Sequence, residues 1–503
     1  MPNFKSLAKD TAIYGLSSIV ARFFNYLLVP LHTSRIPAES GDYGVVSNLY
    51  AWSAVIFVLL TFGMETTFFR FANKENEDEK MVYSTALRLV GSVGILFVLL
   101  VFLFLKPIAG YLDAGSMVYV THPEYIACFA IIGALDAFQA IMFGRLRQQH
   151  RPVKFMVLKT AFILFYVFLN LIVFLVLPLF FQRFPGIEQF YNHYNHGAGL
   201  IFFANLICTA AITFGFLKEL KGITFGFDWK LALRMLRYAW PILLLGIVGI
   251  LGQTFDKIAF TRLVPGTEGM QQLGIYGACA KIAMIMTLLT QAFRYAYEPF
   301  VFGGAKDKNS PEMLAAGMKY FIIFTLLAFL AVVFYMPVLR YLVANHKYWV
   351  GLAVVPIVMM GEIFMGIYFN LSFWYKLTDQ TWWGAVMSAI GAAVMVGINI
   401  LFVPTHGFMA CAWGVFGGYG VSMLLSYFIG QKKYPIAYPL KEIAIYALMA
   451  GALFACSLVT ARWNVWLQLP ANTVLLLLFC AYILKKDLPV QSIPVLNKLL
   501  KKL

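Results

Sequence analysis

Gly41-Asp42-Tyr43-Gly44 leads into an apolar run that closes on Gly63-Met64-Glu65-Thr66-Thr67-Phe68-Phe69-Arg70. The chain carries the same design again. Gly274-Ile275-Tyr276-Gly277 leads to Arg294-Tyr295-Ala296-Tyr297-Glu298-Pro299-Phe300. In both copies a G-x-Y-G turn is expected to open an apolar helix, and a glutamate follows the tyrosine by 22 positions. Thr33-Ser34-Arg35 precedes the first copy and Thr261-Arg262 the second. The tyrosines lie 233 residues apart, a period too long for a solenoid and suited to two homologous halves.

What surrounds the repeat fixes its solvent. Hydrophobic residues make up 61% of the 503, charged residues 12%, and mean hydropathy is +0.77. Such a chain is an all-α polytopic membrane protein. Its apolar runs are continuous rather than alternating, which fits helices better than barrel strands. A spanning helix needs about 20 apolar residues. Spans are expected near 11–31, 43–64, 83–105, 124–144, 153–178, 197–217, 239–260, 273–296, 318–343, 350–375, 384–403, 409–430, 441–460 and 465–484, fourteen in all. The first run is long, follows Lys5 and Lys9 and lacks a small-x-small site, so it reads as a span rather than a cleaved signal.

Charge orients the spans. With the N-terminus inside, 28 of the 39 Lys/Arg fall on the cytoplasmic side and seven (Arg35, Lys106, Arg183, Arg262, Arg340, Lys347, Arg462) in outer loops. Arg22, Arg88, Lys257 and Lys281 remain within spans. This bias places both termini in the cytoplasm and accounts for most of the +16 net charge, so no nucleic-acid partner is implied. Six cysteines, all in apolar spans, read as small buried hydrophobes, and six of seven histidines fall in outer loops. His193 and His196 form an H-x-x-H, but surface histidines explain it better than a metal site.

The second copy begins six spans after the first, so the halves are parallel repeats with the substrate path between them. The expected organisation is an N-terminal lobe (1–217, six spans) and a cytoplasmic linker with an interfacial helix (218–238). A C-terminal lobe (239–430, six spans) follows, then two extra helices with an amphipathic cytoplasmic tail (431–503). The tract 73–80 reads as a solvated mixed-charge loop without a function.

Charges inside spans cost at least a few kcal/mol each and need an explanation. Arg22 lies mid-span with Ser18 and Asn25 on its face; Asp136 and Glu362 are central in the fourth and tenth spans. Asp256 and Lys257 lie near the outer end of the seventh, Lys281 in the outer third of the eighth. Arg22, Asn25, Lys281 and Lys257 would line a water-filled cavity suited to an anionic group. Glu362, Asp136 and Asp256 are the candidates for carrying a coupled ion. Structural pairing is the competing account: Asp256 with Lys257 or Lys281, or Arg22 with Asp136. Glu65, Arg70, Arg294 and Glu298, at cytoplasmic helix ends, are candidate gate contacts.

At these residues the chain resembles the O-antigen and capsule type polysaccharide flippases of the multidrug/oligosaccharidyl-lipid/polysaccharide exporter superfamily. The G-x-Y-G turns, Gly63-Met64-Glu65-Thr66-Thr67-Phe68-Phe69-Arg70-Phe71, the Gln253-x-x-Asp256-Lys257 segment and Ala292-Phe293-Arg294-Tyr295-Ala296-Tyr297-Glu298-Pro299-Phe300 carry the resemblance. It implies two six-helix lobes, a V-shaped cavity and alternating access in a bacterial cytoplasmic membrane. The cargo it implies is a polyprenyl-diphosphate-linked oligosaccharide, with membrane lipids, a polysaccharide polymerase and glycosyltransferases as partners. It links Arg22 to the lipid diphosphate, and the two extra helices to the prenyl chain. It implies no ATP and no cofactor, and leaves H⁺, Na⁺ or no coupling open; the chain has no G-x-x-x-x-G-K-[ST] motif. A drug/cation antiporter of the same superfamily would place an acid in the first helix, where Arg22 stands. A membrane-embedded polymerase or acyltransferase would need a large outer loop or an intramembrane histidine.

Overall fold

Hydrocarbon offers no partner for a free N–H or C=O, so long apolar runs close their hydrogen bonds internally as helices. The computed structural model describes residues 23–74, 77–220, 223, 227–303 and 310–487, and these contain helices and no strand. Helix α1 covers 23–35, the described part of the first expected span and its continuation. It is followed by α2 (Asp42–Ala72), α3 (Glu79–Leu103), α4 (Glu124–Gln148), α5 (Pro152–Phe180) and α6 (Ala198–Phe214). The second half comprises α7 (Trp229–Leu263), α8 (Thr267–Tyr295), α9 (Pro311–Phe334), α10 (His346–Leu377), α11 (Trp382–His406) and α12 (Phe408–Lys433). Two more, α13 (Leu440–Thr460) and α14 (Val465–Lys486), close the described chain. Twelve of these are long and apolar enough to cross a membrane; a thirteenth is α6, if the helix Pro185–His193, bent 85° from it, is counted with it. The protein is thus multi-pass.

Packing repeats with the sequence. In the first half α3 packs on α4, and α6 on both α4 and α5; in the second, α9 packs on α10, and α12 on both α10 and α11. The same packing relations thus recur among α1–α6 and α7–α12. Helices α13 and α14 lie against α9, outside the second lobe. They pack through one side only, which leaves Leu448 73% and Leu477 60% exposed toward the lipid. The cysteine expectation fails there for the same reason: Cys456 on α13 is exposed and Cys480 on α14 half-buried, while the other four are buried.

Two local findings differ from the sequence reading. Trp229–Leu263 is one helix of 35 residues, so the basic segment at Lys230, Arg234 and Arg237 runs unbroken into α7. Asp228 caps it, accepting from the backbone N–H of Lys230 (2.8 Å) and Leu231 (3.1 Å). The tract 73–80 is not merely solvated either, because Glu77 receives Arg234 at 2.5 and 3.2 Å. The tail beyond 487 and Ser18 lie outside the described residues.

Candidate functional site

The lobes meet through the repeated motif itself. Gly41 caps α2 in left-handed backbone (φ 77°), as a turn glycine should. The second motif does not open its helix, since that helix starts at Thr267, seven residues before Gly274. Its glycine answers a different need. A Cβ on Gly274 would stand 2.9 Å from the backbone nitrogen of Gly44, and one on Gly44 only 2.0 Å from the carbonyl oxygen of Met270. Helices α2 and α8 therefore cross in backbone contact near the base-poor end, where the turns carry few Lys and Arg. Further stitches join the lobes there. Gly266 N–H donates to the Ala114 carbonyl (2.9 Å), Ala344 N–H to Thr33 Oγ1 (2.9 Å) and Tyr348 Oη to the Ile36 carbonyl (3.1 Å). Lys347 pairs with Glu39 and holds that carboxyl below its usual range.

Below this seam, between the lobes, lies a cavity of about 420 Å³. Helices α1, α2, α5, α7, α8, α10 and α12 contribute to its wall, which includes Asn25, Tyr50, Gln253, Lys257, Lys281, Glu362 and Tyr419. Asp256 is 2% exposed, bound by both oxygens to Lys257 Nζ (3.1 and 3.0 Å), and accepts from Tyr276 Oη at 2.7 Å. The pairing account is the observed one for this residue. Asn48 donates from Nδ2 to the Lys257 carbonyl (2.8 Å) and accepts from Tyr119 Oη (2.9 Å), tying α2 to α7 beside the cavity. Lys281 has no carboxylate partner among the described residues; its Nζ donates across the lobes to Tyr43 Oη at 3.0 Å. Glu362 has no cationic partner among them, and accepts from Thr287 Oγ1 at 2.8 Å. Arg22 lies outside the described residues, so its place, and any pairing with Asp136, is not described.

Asp136 does not reach this cavity. It lines a second one of about 540 Å³ inside the first lobe, together with Glu65, Gln139, Arg147 and Lys159. There Asp136 accepts from Thr209 Oγ1 at 3.5 Å, and Gln139 Nε2 donates to the Thr209 carbonyl and Thr213 Oγ1, each at 2.9 Å. Arg147 pairs with Glu65. Lys159 lies 4.2 Å from the Phe143 ring centre and has no ion-pair partner among the described residues. The remaining gate candidates lie toward the base-rich end. Arg70 stacks 4.1 Å over Tyr238 of α7, and Glu298 receives Arg294 (3.3 Å) and Lys376 (3.4 Å) within its own lobe.

Sequence reading misses Lys159, Tyr43, Tyr276 and Thr287. Lys159 sits five residues beyond Lys154 and reads there as one more cytoplasmic base. Tyr43 and Tyr276 are signalled by their place in the repeat, but their partners are not. His32, expected in an outer loop, is 3% exposed and bonds Asn170 at 2.8 Å, because α1 continues to residue 35. The H-x-x-H pair diverges, with His193 edge-on to His122 (5.0 Å) and His196 bonded to Asp42 at 2.7 Å.

The fold has solved counterparts. A lipid II flippase MurJ in an inward closed conformation aligns with TM-score 0.73 and 13% identity, over 94% of this chain and 98% of its own. An inward-facing multidrug resistance MATE family transporter of the MOP superfamily aligns with TM-score 0.64 and 13% identity, over 84% and 97%. The MATE multidrug transporter DinF-BH gives 0.59 and 15%, over 86% and 96%. At these identities the likeness is one of fold. No curated protein matches by sequence. A profile of the family described as polysaccharide biosynthesis protein matches residues 7–293, more than half of the chain, and the protein with this two-lobed, charged interior belongs to that family.

Proposed function

We propose that this protein is a flippase, not an enzyme, that carries a polyprenyl-diphosphate-linked oligosaccharide between leaflets by alternating access, for surface polysaccharide synthesis. One observation supports this above others: Lys281 faces an interlobe cavity without a carboxylate to neutralise it. An unneutralised ammonium at that depth is costly and suits an anionic head group. Family membership and the shared fold with a lipid II flippase support the same cargo class. Lys257 serves the diphosphate through its remaining N–H, and Asn25 of the first helix adds a neutral polar group to the wall, while Arg22, outside the described residues, is assigned to the diphosphate by the family resemblance alone. An apolar groove of about 360 Å³ between α9, α10, α12 and α13, lined by Ile322, Phe329, Phe364, Ile443 and Phe454, suits the prenyl chain.

The charge asymmetry supports a cytoplasmic base-rich end, and the family supports a bacterial inner membrane, where a polymerase and glycosyltransferases would hand the lipid on and off. Among the three candidate acids, Asp256 is ion-paired with Lys257 and Glu362 lines the substrate's own cavity, whereas Asp136 lies in a separate polar cavity where no ion pair reaches it among the described residues. Asp136 is therefore the acid we assign to ion coupling. The test is leaflet transfer in proteoliposomes with a lipid-diphosphate oligosaccharide, with and without an H⁺ or Na⁺ gradient. Protein-dependent transfer that falls at least tenfold in Lys281→Met, with normal protein levels, supports the reading. Uptake of a cationic dye without lipid transfer replaces it with antiport.

A further inference from the structure

Two opposite charges share the interlobe cavity without meeting. Lys281 on α8 and Glu362 on α10 both line it, yet no ion pair joins them, and each is held by a neutral hydroxyl instead. An ammonium has three donors, of which Tyr43 takes one. A carboxylate offers about four acceptor positions, of which Thr287 fills one. Of the other charged groups at the wall, Asp256 is paired with Lys257, whose one remaining N–H serves the same anion as Lys281. What remains is a donor post and an acceptor post, fixed on neighbouring helices and turned to one space.

A bare diphosphate answers only the first and is repelled by the second. We infer that Glu362 is a specificity residue, which accepts hydrogen bonds from the hydroxyl or amide N–H groups of the sugar joined directly to the diphosphate. This rests on the flippase reading and adds the residue that tells the loaded lipid from the sugar-free one. Glu362 thereby rejects the spent, sugar-free lipid as well as holding the loaded one.

The two effects have opposite signs, which makes the test sharp. Binding to the full-length protein in detergent is measured for two probes, a polyprenyl diphosphate and the same lipid bearing one N-acetylhexosamine. The wild type should prefer the sugar-bearing lipid about tenfold, the scale of a hydrogen bond to a charged group. Glu362→Met should weaken that lipid and tighten the bare one, so that the two affinities converge. Glu362→Gln, which keeps shape and one acceptor, should fall between. Lys281→Met should weaken both probes alike. Equal wild-type affinities, or a preference unchanged in Glu362→Met, overturn the inference and leave the flippase reading standing. A wild type that binds neither probe overturns both.

Discussion

The two ends of the interlobe contact are built from different materials. At the base-poor end main chain carries much of the join, with Gly44 against Met270, Gly266 N–H to the Ala114 carbonyl and Ala344 N–H to the Thr33 hydroxyl, beside the Lys347–Glu39 pair. Toward the base-rich end there is one close approach, Gly63 against the Ala239 carbonyl, over an apolar cluster of Phe68, Phe71 and Met235, and beyond it the contacts across lobes are long side chains, Arg234 to Glu77 and Arg70 over Tyr238. The acids there, Glu65 and Glu298, spend their charge inside their own lobes. Main-chain contact has no rotamers to lose and tolerates no added atoms, whereas exposed charge pairs are weak and easily exchanged. The base-poor seam is rich in main-chain contact, and the base-rich side adds replaceable charged contacts at its rim.

That contrast can be broken at its strongest point. Gly44→Leu puts a side chain where the Met270 carbonyl stands and should cost ~3 kcal/mol or more, prising the seam apart. Cysteine labelling of cavity positions from the base-poor side, with an unfolding curve in detergent, reads both effects. Unchanged labelling and stability would mean that the seam is not a close contact. Asn48→Ala should come next, at about 2 kcal/mol, because it leaves the Lys257 carbonyl and Tyr119 Oη unpaired between α2 and α7. Asn48→Asp should not rescue it, since the donor to the carbonyl is still missing. Arg70→Ala should cost only ~0.5–1 kcal/mol, the worth of one exposed cation–π contact. A loss as large as that of Asn48→Ala would erase the difference between the ends.

The smallest effect is a pH dependence. His196 donates to Asp42 at the base-poor end, and this hydrogen bond raises the imidazole above its ordinary value. A folded-state value above the unfolded one means that the protonated contact stabilises fully below about pH 6.5 and fades as pH rises through the raised value. His196→Gln should therefore lower the unfolding midpoint most below that pH and progressively less above it. A gap between wild type and variant that widens with pH would contradict the assignment.

Much of this is readable from the chain. Continuous apolar runs are long-range evidence that local noise cannot hide, so the all-helical, multi-pass character is legible, with twelve of the expected spans long and apolar enough among the described residues. The motif at 274–277 is visible but misleading, because a glycine needed for close approach looks like one needed for a turn until its neighbour is known. Pairings are the least legible. Asp256 with Lys257 is one of two options, and only the fold selects it; Glu65 stands near Arg70 in sequence and is met instead by Arg147, 82 residues away. Lys159 is absorbed by a rule about helix ends that is right for most lysines.

Helix α7 has a mechanical meaning beyond its contacts. Lys230 and Asp256 ride on one helix, about 39 Å apart along its axis at 1.5 Å per residue. Pro241 lies between them and interrupts the ladder at one place, the softest joint of the strut. A force applied to the basic tip, by leaflet charge or by Glu77, is delivered to the cavity only as far as that joint resists bending. The membrane surface and the cargo's charge cradle are thus linked by a lever of tunable stiffness. Removing the proline would make the lever rigid without altering a single residue of the cavity.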